Sequence, residues 1–176
     1  MKRAALILSI LLVNVPAHSA IAMIGTKIDG YFIDKFNLLK AEVVITKSGN
    51  DNPNDEYIPD ECKVQLPNTS SDQIGNPVSC DTILINEGDL NDDGIDELSV
   101  YSAPLHGCTY NMSTFSFKNG VFQEIVPMFL VQTACEPFSS LELHKLVFKE
   151  NSSVFYMTTD PNDESGNLIK NKASIK

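Results

Sequence analysis

The most chemically legible residues lie between Gly88 and Val100, in the run GDLNDDGIDELSV. Oxygen-bearing side chains stand at alternate positions, Asp89, Asn91 and Asp93, followed by Gly94 and then Glu97. Calcium takes about six to eight oxygens at about 2.3 to 2.6 Å, and a loop curling round the ion presents every second side chain to it. Gly94 permits the sharp bend, the carbonyl of Ile95 adds an oxygen, and Glu97 closes the ring. Asp92 and Asp96 fall between these positions and are expected to face outward, adding long-range attraction. The competing reading is a solvated Asn/Asp/Gly turn that forms without metal. The regular spacing favours calcium, in a structural rather than a catalytic role.

The first six positions match the start of an EF-hand loop, but the twelfth, where that loop needs a bidentate Glu, is Val100. Leu98-Ser99-Val100-Tyr101 is also strand-like, where an EF-hand would begin a helix. The segment resembles the calcium loops of the FG-GAP and VCBS repeat families, in which Gly-Asp-Leu-Asn-x-Asp-Gly ends in an acid and runs into an apolar strand. That resemblance implies Asp89, Asn91, Asp93 and Glu97 as side-chain ligands. It spans only Gly88 to Val100. Those families usually carry Asp where Glu97 stands and repeat the unit, whereas here it occurs once. The resemblance therefore implies a metal site and not a propeller.

Other constellations carry less. No serine sits in a Gly-x-Ser-x-Gly elbow, no Gly-rich phosphate loop is present, and no carboxylate pair is singled out as a glycosidase pair would be. His106 falls in an expected loop and His144 in an expected strand, and both read as structural or surface histidines. Zinc is disfavoured because there is no Cys-x-x-Cys pair. Asn68, Asn111 and Asn151 fit the glycosylation pattern Asn-x-Ser/Thr.

The chain opens with Lys2 and Arg3, an apolar run from Ala4 to Val13, and small residues beyond it, which is the order of a secretory signal peptide. Cleavage after Ser19 or after Ala22 fits, the second being preferred, and the apolar run is short of the roughly 20 residues that span a bilayer. The expected organisation is thus a signal over residues 1–22 and a single β-rich domain over 23–176, with an acidic loop at 48–61 and a polar C-terminal tail. Four cysteines, Cys62, Cys80, Cys108 and Cys135, favour two disulfides in an exported chain. Of three connectivities, Cys62–Cys80 with Cys108–Cys135 is preferred, because the second pair brackets an expected hairpin. The net charge of −10 becomes −12 once Lys2 and Arg3 are removed, and no arginine then remains. Such a chain is repelled by nucleic acid and anionic membranes, and its field favours a basic protein or metal cations.

Positioning these residues falls to a mainly β, α+β fold, an antiparallel sheet domain with one short N-terminal helix and two disulfides. Ile28, Phe32, Phe36 and Leu39 recur at helical steps and predict that helix over Ile28–Leu39. Val43, Val44 and Ile45 predict a strand over Ala41–Thr46. Ser48–Glu61 and Pro67–Ser79 read as loops. Strands are expected at Thr82–Ile85, Glu97–Ser102, Tyr110–Phe117, Val121–Met128, Phe129–Thr133, Leu141–Lys149 and Val154–Thr159, with tight turns at Lys118-Asn119-Gly120 and Glu150–Ser153. The tail from Asp160 is expected to be loosely held. Together these features suggest a periplasmic or secreted, non-enzymatic domain whose calcium loop braces a surface for a protein partner. A basic cell-wall hydrolase or toxin would suit the charge, making the chain inhibitor- or immunity-like. The alternatives are an exported hydrolase using metal or a carboxylate pair, and an adhesion or glycan-binding module.

Overall fold

Short β-branched and aromatic runs, punctuated by Asn and Gly turns, pair into three antiparallel sheets in the computed structural model, which describes residues 24–50, 58–66, 74–104, 107–136 and 138–174. In chain order the elements are β1 (Ile24–Gly25), β2 (Lys27–Gly30), β3 (Leu39–Lys47), β4 (Glu61–Gln65) and β5 (Ile74–Val78). Next come β6 (Thr82–Gly88), β7 (Glu97–Ser102), β8 (Thr109–Lys118) and β9 (Val121–Gln132). The last elements are a four-residue helix α1 (Ser140–Leu143), β10 (Val147–Glu150), β11 (Ser153–Thr159) and β12 (Leu168–Lys172). The central sheet has the order β1-β6-β7-β8-β9, the second β2-β3-β4-β5 and the third β10-β11-β12.

The central sheet is covered on both faces. On one side Leu84, Leu98 and Val100 pack with Ile28, Phe32, Ala41, Val64, Leu66 and Ile74 of the second sheet and its loops. On the other, Ile85, Tyr101, Met112, Val126, Phe129 and Val131 meet Leu143, Leu146, Val147 and Val154. All six residues of β7 are consequently buried. A strand covered on both faces need not alternate apolar with polar.

Local turn chemistry behaves as the sequence predicts. Lys118 pairs with Val121 across a two-residue loop in which Asn119 (φ 56°) and Gly120 (φ 85°) are both left-handed, the geometry that matches the twist of a hairpin. Glu150 pairs with Ser153 across Asn151 and Ser152, also both at positive φ. Both preferred disulfides, Cys62–Cys80 and Cys108–Cys135, are present.

Several elements differ from expectation. The helix over Ile28–Leu39 is absent; β2 occupies Lys27–Gly30, and an irregular turn leads to β3. Ile28 and Phe32 are buried, but Phe36 is 79% exposed, so the four residues do not form one face. Asp34 Oδ1 accepts the backbone N–H groups of Phe36 and Asn37, both at 2.8 Å, a local bonding pattern that competes with a helix. The short helix lies instead at Ser140–Leu143, inside the stretch expected as a strand over Leu141–Lys149. Glu142 reaches back there to accept the Ser139 N–H at 2.8 Å, a capping box that starts a helical turn. His144 is the C-cap of that helix rather than a strand residue. The two strands expected over Val121–Thr133 are one, β9, whose pairing with β8 shifts register around Pro127.

The loop expected over Pro67–Ser79 holds β5, whereas the one expected over Ser48–Glu61 meets a strand, among the described residues, only at its last, where β4 begins; residues 51–57 and 67–73, like His106, lie outside the described residues. The tail is not loose. It forms β12 against β11 and buries Ala173. Beyond pairing with β8, β9 meets the third sheet through side chains: the Thr158 hydroxyl donates to the Leu130 carbonyl at 2.9 Å, and the Gln132 N–H donates to the Thr159 hydroxyl at 2.7 Å. Among the described residues no helix is long and apolar enough to cross a membrane.

The cross-links close chain separations of 18 and 27 residues. Replacing Cys62 and Cys80 together by Ala is expected to lower the unfolding free energy by roughly 3 kcal/mol, and the Cys108/Cys135 pair by slightly more. Urea unfolding of the two double variants measures this; midpoints equal to the parent's would contradict it.

Candidate metal loop and buried carboxylates

The connection between β6 and β7 folds inward because its own side chains take up its backbone donors. Asp89 Oδ1 accepts from Asp93 N at 3.1 Å and Asp89 Oδ2 from Gly94 N at 2.8 Å. Asn91 Oδ1 accepts from Asp93 N at 2.9 Å, and Asp93 Oδ1 accepts from Ile95 N at 2.9 Å. Asp92 (φ 66°) and Gly94 (φ 84°) take the left-handed conformations that close the curl. Asp89, Asn91 and Asp93 thus turn into the same loop. Glu97 joins them at the start of β7, its Oε1 accepting from Asn91 Nδ2 at 2.9 Å and its Oε2 from Leu90 N at 2.6 Å. The structure thereby links Asp89, Asn91, Asp93 and Glu97 in one hydrogen-bonded loop, which Ile95 enters through its backbone N–H. Among the described residues, no three His, Cys, Asp or Glu side chains converge into a ready-made cage. The side chains of the loop offer carboxylate and amide oxygens, the ligand type that hard cations take.

Asp92 is exposed as expected, with Lys149 Nζ at 2.5 Å from its Oδ1. Asp96 does not face outward. Its Oδ2 accepts from Tyr31 N at 2.8 Å and Asn86 Nδ2 at 3.0 Å, while its N–H donates to the Tyr31 carbonyl at 3.0 Å. The Asn86 amide also donates to the Asp29 carbonyl at 3.1 Å. Only a glycine fits at residue 30 beside it, because a Cβ there would lie 2.7 Å from Asn86 Nδ2 and 2.5 Å from the Phe32 ring. The acidic loop is in this way fastened to the turn that follows β2.

Behind the loop lies a buried polar row that motif spacing does not reveal. Glu97 is fully buried and is also hydrogen-bonded to Ser116. Ser116 in turn lies 3.2 Å from Asn91 Nδ2. Ser99 and Thr114, directly opposite on β7 and β8, share a hydrogen bond of 2.8 Å. Glu87 bonds to Ser99, but its Oε1 is sealed from solvent and has no hydrogen-bond partner. Burial pushes the Glu87 carboxyl up to about 8, with the Glu97 charge adding to the rise. Burial likewise raises Glu97 to about 7, opposed by its bonds to Ser116 and Leu90 and reinforced by Asp93 and Asp89. The only sequence hint of this row is a run of polar residues at the end of apolar β6 and at alternate positions of β7 and β8.

The fold is thus of the mainly β, disulfide-linked class, three antiparallel sheets with an acidic loop at one end of the central sheet. Set against known protein families, curated proteins and solved structures, the chain matches none.

Carboxyls whose pKa is raised by folding bind protons more tightly in the folded state, so their contribution to stability is present below about 4.5 and disappears as pH rises through about 7 to 8. In metal-free buffer the melting temperature should therefore fall from about pH 5 to about pH 8. Glu87→Gln, which stays neutral, should melt near the parent at the acid end and above it at the alkaline end. Parallel profiles for the two proteins would refute this account of Glu87.

Proposed function

We propose that this chain is an exported, non-enzymatic protein-binding domain, in which a structural calcium ion in the Asp89–Glu97 loop stiffens a surface for a basic protein partner. The observation that carries the reading is the two-way hydrogen bonding between Asp96 and Tyr31, which locks the acidic loop to an exposed apolar turn. That turn presents Tyr31, Phe36 and Leu38, at 41%, 79% and 60% exposure. Large apolar side chains beside a concentrated charge suit a protein interface, where rings supply contact area and charge supplies orientation and speed of encounter. The Phe36 ring already has the Lys35 ammonium 5.3 Å from its centre, the kind of contact an incoming lysine or arginine would make. The signal-like start and the two disulfides support a secreted or periplasmic location.

Calcium suits the loop for an electrostatic reason. Asp89, Asp92, Asp93, Asp96 and Glu97 crowd one short connection, and Lys149 pairs with Asp92 at its margin. A divalent cation would relieve that repulsion and favour the ionised form of the buried Glu97 carboxyl. The donor residues would be Asp89, Asn91, Asp93, Glu97 and the carbonyl of Ile95.

Thermal unfolding in calcium and in excess chelator tests the metal. At a calcium concentration about 100 times the dissociation constant, the gain should be about 2.7 kcal/mol. Asp89→Ala combined with Asp93→Ala should abolish it, and superimposable parent curves in calcium and chelator would mean the loop is only a turn. The partner is tested by gel filtration at low salt with a panel of basic muramidases. A complex should form, weaken with added salt, and lose about tenfold in affinity on Phe36→Ser. Failure of the whole panel to bind would refute that partner class.

A further inference from the structure

A cavity of about 780 Å³ opens between the turn end of the β8–β9 hairpin and the β11–β12 pair, on the side of the central sheet away from Tyr31. Its size lies within the roughly 300 to 1,000 Å³ of small-molecule sites. Ile125, Pro127 and the Tyr156 ring give it an apolar part. Phe129 packs 5.0 Å from the Tyr156 ring and fixes its orientation. The polar lining is balanced in charge, with ammonium groups from Lys118 and Lys172 and carboxylates from Asp93 and Glu124. In a chain of net charge −10 this local neutrality sets the cavity apart from the acidic surface around it.

One wall is built rather than incidental. Ser116 lines the cavity although it is only 2% exposed, and it is held by Asn91, which also lines the cavity and is itself held by Glu97. The polar atoms there are fixed before any ligand arrives, which reduces the ordering cost of binding. Donors, acceptors and a fixed aromatic ring on a neutral background match a ligand with an apolar face and a hydroxylated edge.

We infer that this cavity is a binding site for a neutral oligosaccharide, with Tyr156 beneath a sugar ring and Gln123, Glu124 and Lys172 at its hydroxyls. The site uses side chains on β8, β9, β11 and β12 together with the outer wall of the acidic loop. It is separate from the surface at Tyr31 to Leu38 and does not depend on the partner assigned there.

The test is amide shift mapping of the oxidised protein with maltotriose, cellotriose and tri-N-acetylchitotriose, and with a chitosan trimer as a charged comparison. All titrations are run in chelator, so that the metal reading does not decide the result. At least one neutral trimer should move the amides of Gln123, Tyr156 and Lys172 and saturate at roughly 1 mM or tighter. Ser174→Trp, at an exposed residue of the lining, should weaken that binding by about tenfold while leaving the melting temperature unchanged. Lys172→Ala should weaken it in the same direction. The inference is overturned if no neutral trimer moves these amides, if only the charged trimer does, or if Ser174→Trp binds as the parent does.

Discussion

The geometry of the acidic loop and the carboxyls behind it follows from burying β7 on both faces. A strand enclosed in this way carries its first residue, Glu97, into the interior, where a carboxylate is costly unless donors surround it. The Leu90 N–H, the Asn91 amide and the Ser116 hydroxyl meet that requirement. Two of the three come from the loop immediately before the strand. The loop is therefore shaped from within, by the need to satisfy Glu97, as well as from without by its alternating Asp and Asn side chains. Glu87 shows the same constraint less completely resolved, with one carboxyl oxygen left unpartnered.

The constraint also ties together regions far apart in sequence. Asp96, one residue before Glu97, is 65 positions from Tyr31 yet bonds to it in both directions. Asn86 crosses to Asp29, and Asp92 meets Lys149 of β10. All three sheets thus touch a single short connection. Hydrogen bonds tie that connection to the turn after β2, and an ion pair ties it to β10.

Features determined within a few residues were legible in the sequence. Asn119-Gly120 announces a hairpin because few other pairs tolerate two left-handed residues, and the 89-91-93 alternation announces an inward-curling loop because both depend on local geometry. The helix expected over Ile28–Leu39 failed because a four-residue apolar spacing also arises when a strand residue and a loop residue, Ile28 and Phe32, plug the same core while Phe36 points away. The strand β12, Leu-Ile-Lys-Asn-Lys, looked like a polar tail because its stability comes from pairing with β11 and not from an apolar face of its own. Asp96 was expected outside because spacing cannot show that Tyr31 stands beside it. The elevated carboxyls of Glu87 and Glu97 were equally hidden, since burial is created only when the third layer closes.

The outer margin of β9 has a consequence of a different kind. Met128 and Leu130 lie exposed there beside Pro127, which has no N–H to offer, while the carbonyl of Leu130 and the N–H of Gln132 are already engaged by Thr158 and Thr159. Unpaired strand margins invite other chains to add to them, and apolar ones do so most readily. By placing threonine hydroxyls where a neighbour's backbone would otherwise bond, the third sheet occupies two of the groups through which another chain would add to this end of β9.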